Sequence, residues 1–474
     1  MKQESKYIRL IRNIALIFFG NICVKAVQFL LIPFYTHYFS PEKYGIVDLI
    51  TVYTTMLLAI AVCNIYDPIF IFPQRKSHVV QKSYFTTGIV FGIACLAIVS
   101  LIFAGLQVIF RLTGKGGVFS DYLWSIFFII GATFLQNYTQ QFARGSDRMI
   151  VYVLSGVMYA AGLAVFAFLL VPRYQISGYV ISVVAASLCA FIFSMIAGKM
   201  YRYISLRLIN LKFLYGMLRF SIPLIPATFL WWLTNSLNRP ILEKCFGLAT
   251  VGVFAIAMKI PAIMNMMYAI FGNAWQISAV EEYKKQDYAN YYNTMFYVVL
   301  SFLSCIFCML TCLSKVIVRL IAAPEFFEAW KYIPLLTLSV VFASGAGFVG
   351  VNFTARKNGT YFLYSSLLCM AGNLLLNFLL IPKYGMWGAA FSVCFSCMIL
   401  FFSRIVFAWQ FVRIQRMYVF LLLLAVDAAF LFVPFVVTDI AQQIAALLFA
   451  VLLFLGINLK FISATFRKLR NLTA

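Results

Sequence analysis

Long apolar runs follow one another along the chain almost without pause, separated by short clusters of Lys, Arg, Pro and Gly. A helix needs about 20 mainly apolar residues to cross a bilayer. Fourteen such runs are present, near 10–36, 44–70, 84–110, 121–143, 149–171, 178–198, 214–238, 247–273, 289–313, 332–355, 360–381, 385–411, 418–437 and 440–461. No polar stretch between them is long enough to fold by itself. The pattern predicts an all-α integral membrane protein of about fourteen transmembrane helices. Residues 1–13 lead straight into the first run with no small-residue cleavage site, which reads as a retained first helix.

The runs also repeat. Leu170-Val171-Pro172-Arg173-Tyr174, followed by Gly178, returns 210 residues later as Leu380-Ile381-Pro382-Lys383-Tyr384, followed by Gly388. Asn137-Tyr138-Thr139 is echoed by Asn352-Phe353-Thr354, and Tyr44-Gly45-Ile46 by Val251-Gly252-Val253. These echoes keep their order in both halves. They predict two six-helix lobes, 1–200 and 201–412, in a pseudo-twofold arrangement about the membrane normal, with an added helix pair at 413–474. Transporter substrate sites usually lie at such repeat interfaces near the midplane.

Composition supports lipid as the main solvent. Hydrophobic residues make up 64% and charged residues 11%, whereas a soluble domain has about a quarter of its residues charged. The net charge of +23 could indicate nucleic acid, but its distribution argues otherwise. With both termini cytoplasmic, 25 of the 37 Lys and Arg fall in inner segments, ten in outer segments, and Lys25 and Lys259 inside spans. That asymmetry is the positive-inside bias, so no nucleic-acid partner is needed. Arg404, Arg413 and Arg416 are counted here with one inner segment. The eleven Cys include Cys305, Cys308 and Cys312 on one helical face and Cys394 with Cys397, with no His or acid beside them. They read as small apolar packing residues.

Polar residues inside the runs form stripes. Asn21, Lys25 and Gln28 share one face of the first span, and Lys25 sits near its middle. A charge there costs about 2.5–3.5 kcal/mol on insertion scales, so it calls for an aqueous cavity or a partner. Gln136, Gln140 and Arg144 form a second stripe, with Asn137 and Gln141 alongside. Asn235, Asn238 and Arg239 end the seventh span, and Lys259 precedes Pro261 in the eighth. Asn352 with Arg356, and Asn373 with Asn377, are spaced i, i+4. The amides could equally bond a neighbouring helix, and Arg144 and Arg356 could snorkel. Asp48 and Asp67 are candidate ion-pair or coupling partners for the lysines. Asp427 has no role in this reading. Lys and Arg suit phosphate while amides and aromatics suit sugars, so a phosphate-linked glycan is the natural cargo.

No Walker A sequence and no HExxH or other metal-ligand spacing occurs, and His37 and His78 lie far from any nucleophile pattern. No catalytic residue, metal or cofactor is expected. A membrane-embedded glycosyltransferase or polymerase would use acids at a helix end and a sizeable outer loop. The longest outer segment, about 314–331, holds only Glu325 and Glu328.

Residues 20–50, GNICVKAVQFLLIPFYTHYFSPEKYGIVDLI, resemble the opening of bacterial oligosaccharide flippases of the polysaccharide transporter type, which include the O-antigen flippases. Residues 237–260, LNRPILEKCFGLATVGVFAIAMKI, with AWQI at 274–277, are similar to their seventh and eighth helices. Asn238 departs from the Asp such proteins often place before the Arg, which puts an ion-coupling role there in question. The resemblance implies undecaprenyl-diphosphate-linked oligosaccharide as cargo, moved to the periplasmic leaflet of the bacterial inner membrane. It implies alternating access between two lobes around a cationic cavity, with polymerase and chain-length proteins as partners. On that basis Lys25 and Lys259 would hold the diphosphate, with Arg144 and Arg239 at the inner and outer mouths. Asn21, Gln28, Gln140 and Asn235 would meet sugar, and 418–461 would line a groove for the polyprenyl tail. Lipid II flippases and multidrug extruders of the same superfamily are the alternatives, although the latter favour acidic cavities and twelve helices.

Overall fold

A computed structural model describes residues 2–114, 116–283, 286–356, 360–437, 442–443, 445–456 and 458–459. The protein is 88% helical, with no strand among the described residues. Among the described residues ten helices are long and apolar enough to cross a membrane, against the fourteen runs expected. The first run, inside Lys2–Tyr38, falls partly on side chains outside those described, and the rest of the difference has physical causes. The fifth and sixth runs form one element, Met149–Ala197, bent at Gln175. The fourth lies in Leu123–Gly145, where the stripe from Gln136 to Gln141 dilutes the apolar character. The last corresponds to Ala445–Gly456, shorter among the described residues than a full span.

The chain divides into two compact units, Met1–Trp232 and Leu233–Ala474, a division that falls inside the seventh expected run. In the first unit, helix packing depends on missing side chains. Gly88 and Gly92 of His78–Thr113, one turn apart, receive Tyr138 and Phe134 of Leu123–Gly145. A Cβ at Gly92 would lie 2.0 Å from the Phe134 ring. Tyr138 Oη then donates to the Phe85 carbonyl at 2.8 Å. Small residues let membrane helices approach where lipid offers no hydrophobic drive. The helix Lys2–Tyr38 lies along Met149–Ala197, with the Phe34 and Phe168 rings 4.4 Å apart.

The second unit is built around Ile333–Ala355, most of whose residues are buried. Its glycines also face large partners: Gly345 meets the Phe401 ring, Gly347 the Tyr268 hydroxyl and Gly350 the Arg404 guanidinium. Trp275 stacks on Phe348 at 4.3 Å. The segment after Met386–Ala408 is tied down by Asn293, which donates to the Arg413 carbonyl at 3.1 Å and accepts from Gln415 N–H at 2.8 Å.

Each unit contains the repeated motif as a corner. Pro172 removes a helical donor, Gln175 takes φ 49° and ψ −119°, and the chain resumes as helix at a new angle. After Pro382, Gly385 takes φ 57° and ψ −128°. Beyond the corners, Gly178 and Gly388 pass close to the Leu170 and Leu380 carbonyls: a Cβ would lie 2.4 and 2.2 Å from those oxygens. Ser182 and Ser392 close both sites, each donating to the glycine carbonyl four residues back at 2.6 and 2.8 Å. The sequence echo is thus one backbone device built twice.

Candidate functional site

In the first unit the candidates sit on several helices. Lys25 is exposed midway along Lys2–Tyr38, and its Nζ donates to Gln28 Oε1 at 3.3 Å. Asn21, also exposed, lies one turn earlier on the same helix. Gln140 is half-buried and its Nε2 donates to the Tyr152 carbonyl at 3.0 Å. The Arg144 guanidinium lies 4.3 Å over the Phe70 ring and 5.8 Å from the Tyr152 ring. It stacks on aromatics near the helix end, a geometry suited to a planar cation. A Cβ at Gly156 would lie 3.3 Å from Gln140 Nε2 and 3.6 Å from Val24, so the middle of the first helix and Gln140 meet over that glycine.

Asp48 is half-buried on Pro41–Ala61. Asp67 lies past the end of that helix, where Asn64 Nδ2 donates to its Oδ2 at 2.6 Å.

In the second unit Asn235 is exposed at the end of Leu224–Ser236, and its carbonyl accepts from Arg239 Nη1 at 3.1 Å. Arg239 itself is buried at the start of Asn238–Phe246. Between them Asn238 is 1% exposed, and neither of its side-chain polar atoms has a hydrogen-bond partner. Lys259 is half-buried in Leu248–Glu282, two residues before Pro261. Of the flanking stripes, Asn352 is packing: it accepts from Tyr288 Oη at 2.6 Å. Asn377 donates to Asn373 Oδ1 at 2.8 Å within one helix, leaving Asn377 Oδ1 buried and unpartnered. Among the described residues no three His, Cys, Asp or Glu converge as a metal site.

One cation escapes the sequence reading. Arg404, counted with a cytoplasmic segment, lies inside Met386–Ala408 and is 5% exposed. Its Nη1 donates to the Ala346 carbonyl at 2.8 Å and its Nε to Ser365 Oγ at 3.2 Å, and the guanidinium lies 4.2 Å over the Phe362 ring. It therefore pins three helices of the second unit with no carboxylate among the described residues. The positions 210 residues earlier are Ser194 and Ser155, which hydrogen-bond each other at 2.9 Å. The signal that could have found it is the spacing Gly345, Gly347, Gly350, which makes room for large side chains from neighbouring helices. Arg404→Met is expected to destabilise the protein by about 1.5–3 kcal/mol, the scale of a hydrogen bond to a charged group. The check is a lower thermal unfolding midpoint in detergent, which Arg404→Lys restores only in part because one ammonium cannot reach both acceptors.

Comparison with known proteins agrees with this architecture. Residues 10–276 match the family described as polysaccharide biosynthesis protein. The capsular polysaccharide biosynthesis protein CapF of Staphylococcus aureus is 22% identical over 409 residues, covering 82% of this chain and 96% of CapF. Among solved structures, the lipid II flippase MurJ in an inward closed conformation aligns at TM-score 0.71 and 17% identity, over 97% of this chain and 99% of MurJ. A multidrug resistance MATE family transporter of the MOP superfamily, inward-facing, aligns at 0.63 and 12% identity, over 85% and 95% of the two chains. The chain therefore has the fold of a multi-pass membrane transporter.

Proposed function

The chain belongs to the polysaccharide biosynthesis protein family, and from that premise we propose that it flips undecaprenyl-diphosphate-linked oligosaccharide units from the cytoplasmic to the periplasmic leaflet of the inner membrane. The observation that carries this reading is the exposed Lys25–Gln28 pair, a cation with an amide beside it midway along an apolar helix. A mid-membrane cation left exposed serves a polar pathway better than it serves packing. Phosphate suits the ammonium and sugar hydroxyls suit the amide.

In this reading Lys25 and Lys259 hold the diphosphate, and Arg144 and Arg239 receive it at the inner and outer mouths. Asn21, Gln28, Gln140 and Asn235 meet the sugars as the protein alternates between inward-open and outward-open states. Asp48 and Asp67 balance the cations. An added segment, 413–474, follows two lobes at 1–200 and 201–412, and its helix pair at 418–461 guides the polyprenyl tail. The inner bias of Lys and Arg supports cytoplasmic termini. The likeness to a capsular protein favours capsule assembly over O-antigen as the route served. Polymerase and chain-length proteins then act on the same cargo.

The test is reconstitution in liposomes with an undecaprenyl-diphosphate-linked oligosaccharide, following its exposure to an outside periodate reagent. Protein-dependent exposure at least about tenfold above protein-free liposomes supports the reading. Movement of lipid II or of a cationic dye, with no movement of the oligosaccharide at the same protein content, would overturn it.

A further inference from the structure

The helix Met417–Phe430 carries one acid, Asp427, of which the transport reading makes no use. Its side chain is 1% exposed. Ser304 Oγ donates to its Oδ2 at 2.9 Å, and its Oδ1 has no hydrogen-bond partner. No Lys or Arg among the described residues pairs with it. A carboxylate here would lack a counter-ion and most of its hydrogen bonds, a costly state inside a bilayer. The arrangement suits the acid that carries its proton, which needs little more than Ser304.

Beside Ser304 is a cavity of about 10 Å³, lined by Ser301, Ser304, Cys305 and Cys308 on one side and by Leu423 and Phe454 on the other. That is about the room of one water. Across it, Asn458 Nδ2 donates to Ser301 Oγ at 2.7 Å. Ser301 and Ser304, one turn apart on Tyr288–Cys312, thus each hold one polar side chain from the terminal segments. That helix brings two thiols to the cavity, Cys305 and Cys308, of which Cys308 interacts electrostatically with Asp427, while Ala445–Gly456 and Val433–Val436 bring no titratable group.

We propose that Asp427 is a proton-binding site that seats the terminal helices on Tyr288–Cys312. With the proton on, the carboxyl group and Ser304 close the seat. When Asp427 gives up its proton to bulk water, the carboxylate draws water in and the seat loosens. Reprotonation takes a proton from bulk water, and no other bond changes. The inference does not rest on the identity of the cargo.

Two measurements on the full-length protein in phosphatidylethanolamine and phosphatidylglycerol liposomes test it. Infrared difference spectra across a pH titration are expected to show the carbonyl stretch of a protonated carboxyl disappearing as pH rises, and Asp427→Asn is expected to lack that band. Labelling of Cys308 by a membrane-permeant maleimide, located by peptide mass spectrometry, is expected to rise at least tenfold more with pH in the wild type than in Asp427→Asn. Ser304→Ala keeps the acid but removes a donor that favours its ionised form, so both transitions are expected to move to higher pH. Identical infrared titrations of wild type and Asp427→Asn, parallel Cys308 labelling, or unmoved midpoints in Ser304→Ala would each overturn the proposal.

Discussion

Lys25→Ala is expected to slow movement of the lipid-linked oligosaccharide about tenfold to a hundredfold, with membrane protein level and unfolding midpoint unchanged. The size follows from one hydrogen bond to a charged group, about 1.5–3 kcal/mol, at about 1.4 kcal/mol per factor of ten. The unchanged fold follows from the geometry. Lys25 is exposed and its hydrogen bond is a 3.3 Å contact to Gln28 on the same helix, so truncation opens no cavity. Lys25→Arg should keep most of the rate, because a guanidinium still offers donors to phosphate. Lys25→Glu should fall below Lys25→Ala. The readout is the reconstituted flipping rate at matched protein content. An unchanged rate in Lys25→Ala would remove the main support for a cationic path along the first helix.

The second large effect is structural. Gly388→Ala is expected to destabilise the protein by at least about 1–3 kcal/mol, the usual cost of overpacking, and to deplete folded protein in the membrane. The new methyl would lie 2.2 Å from the Leu380 carbonyl oxygen, with backbone on both sides and no rotamer to escape through. Gly178→Ala should behave alike, at 2.4 Å from the Leu170 oxygen. Gly105→Ala, where nothing lies within 4 Å, is the control and should be silent. Thermal unfolding in detergent separates the three. Equal midpoints for Gly388→Ala and Gly105→Ala would mean that the corner yields more readily than its geometry indicates.

The sequence shows these features unevenly. The membrane class was legible because hydrophobicity acts locally and needs no partner. The repeated corner was legible too, since Pro, a left-handed position and Gly must keep fixed spacing along the chain to make the turn. Arg404 was not. A linear reading places an Arg near the end of a span and assumes it reaches the interface, while Gly350 and Ser365, on other helices, make its buried seat. Asp427 meets the same difficulty, since Ser304 is 123 residues away in sequence. Gln140 and Arg144 formed a stripe as expected, but both turn toward Tyr152, a contact that periodicity cannot foresee. Among the described residues fewer helices than runs count as full spans, because polar stripes thin one helix and a corner joins two runs into one element.

The paired corners also restrict how the protein can move. At Gln175 and Gly385 the backbone takes positive φ with ψ of −119° and −128°, and Gly178 and Gly388 pass close against the Leu170 and Leu380 carbonyls. On that close packing each pair of limbs is expected to turn as one bent lever, the second swinging with the first, and any stroke then finds its pivot elsewhere in the chain.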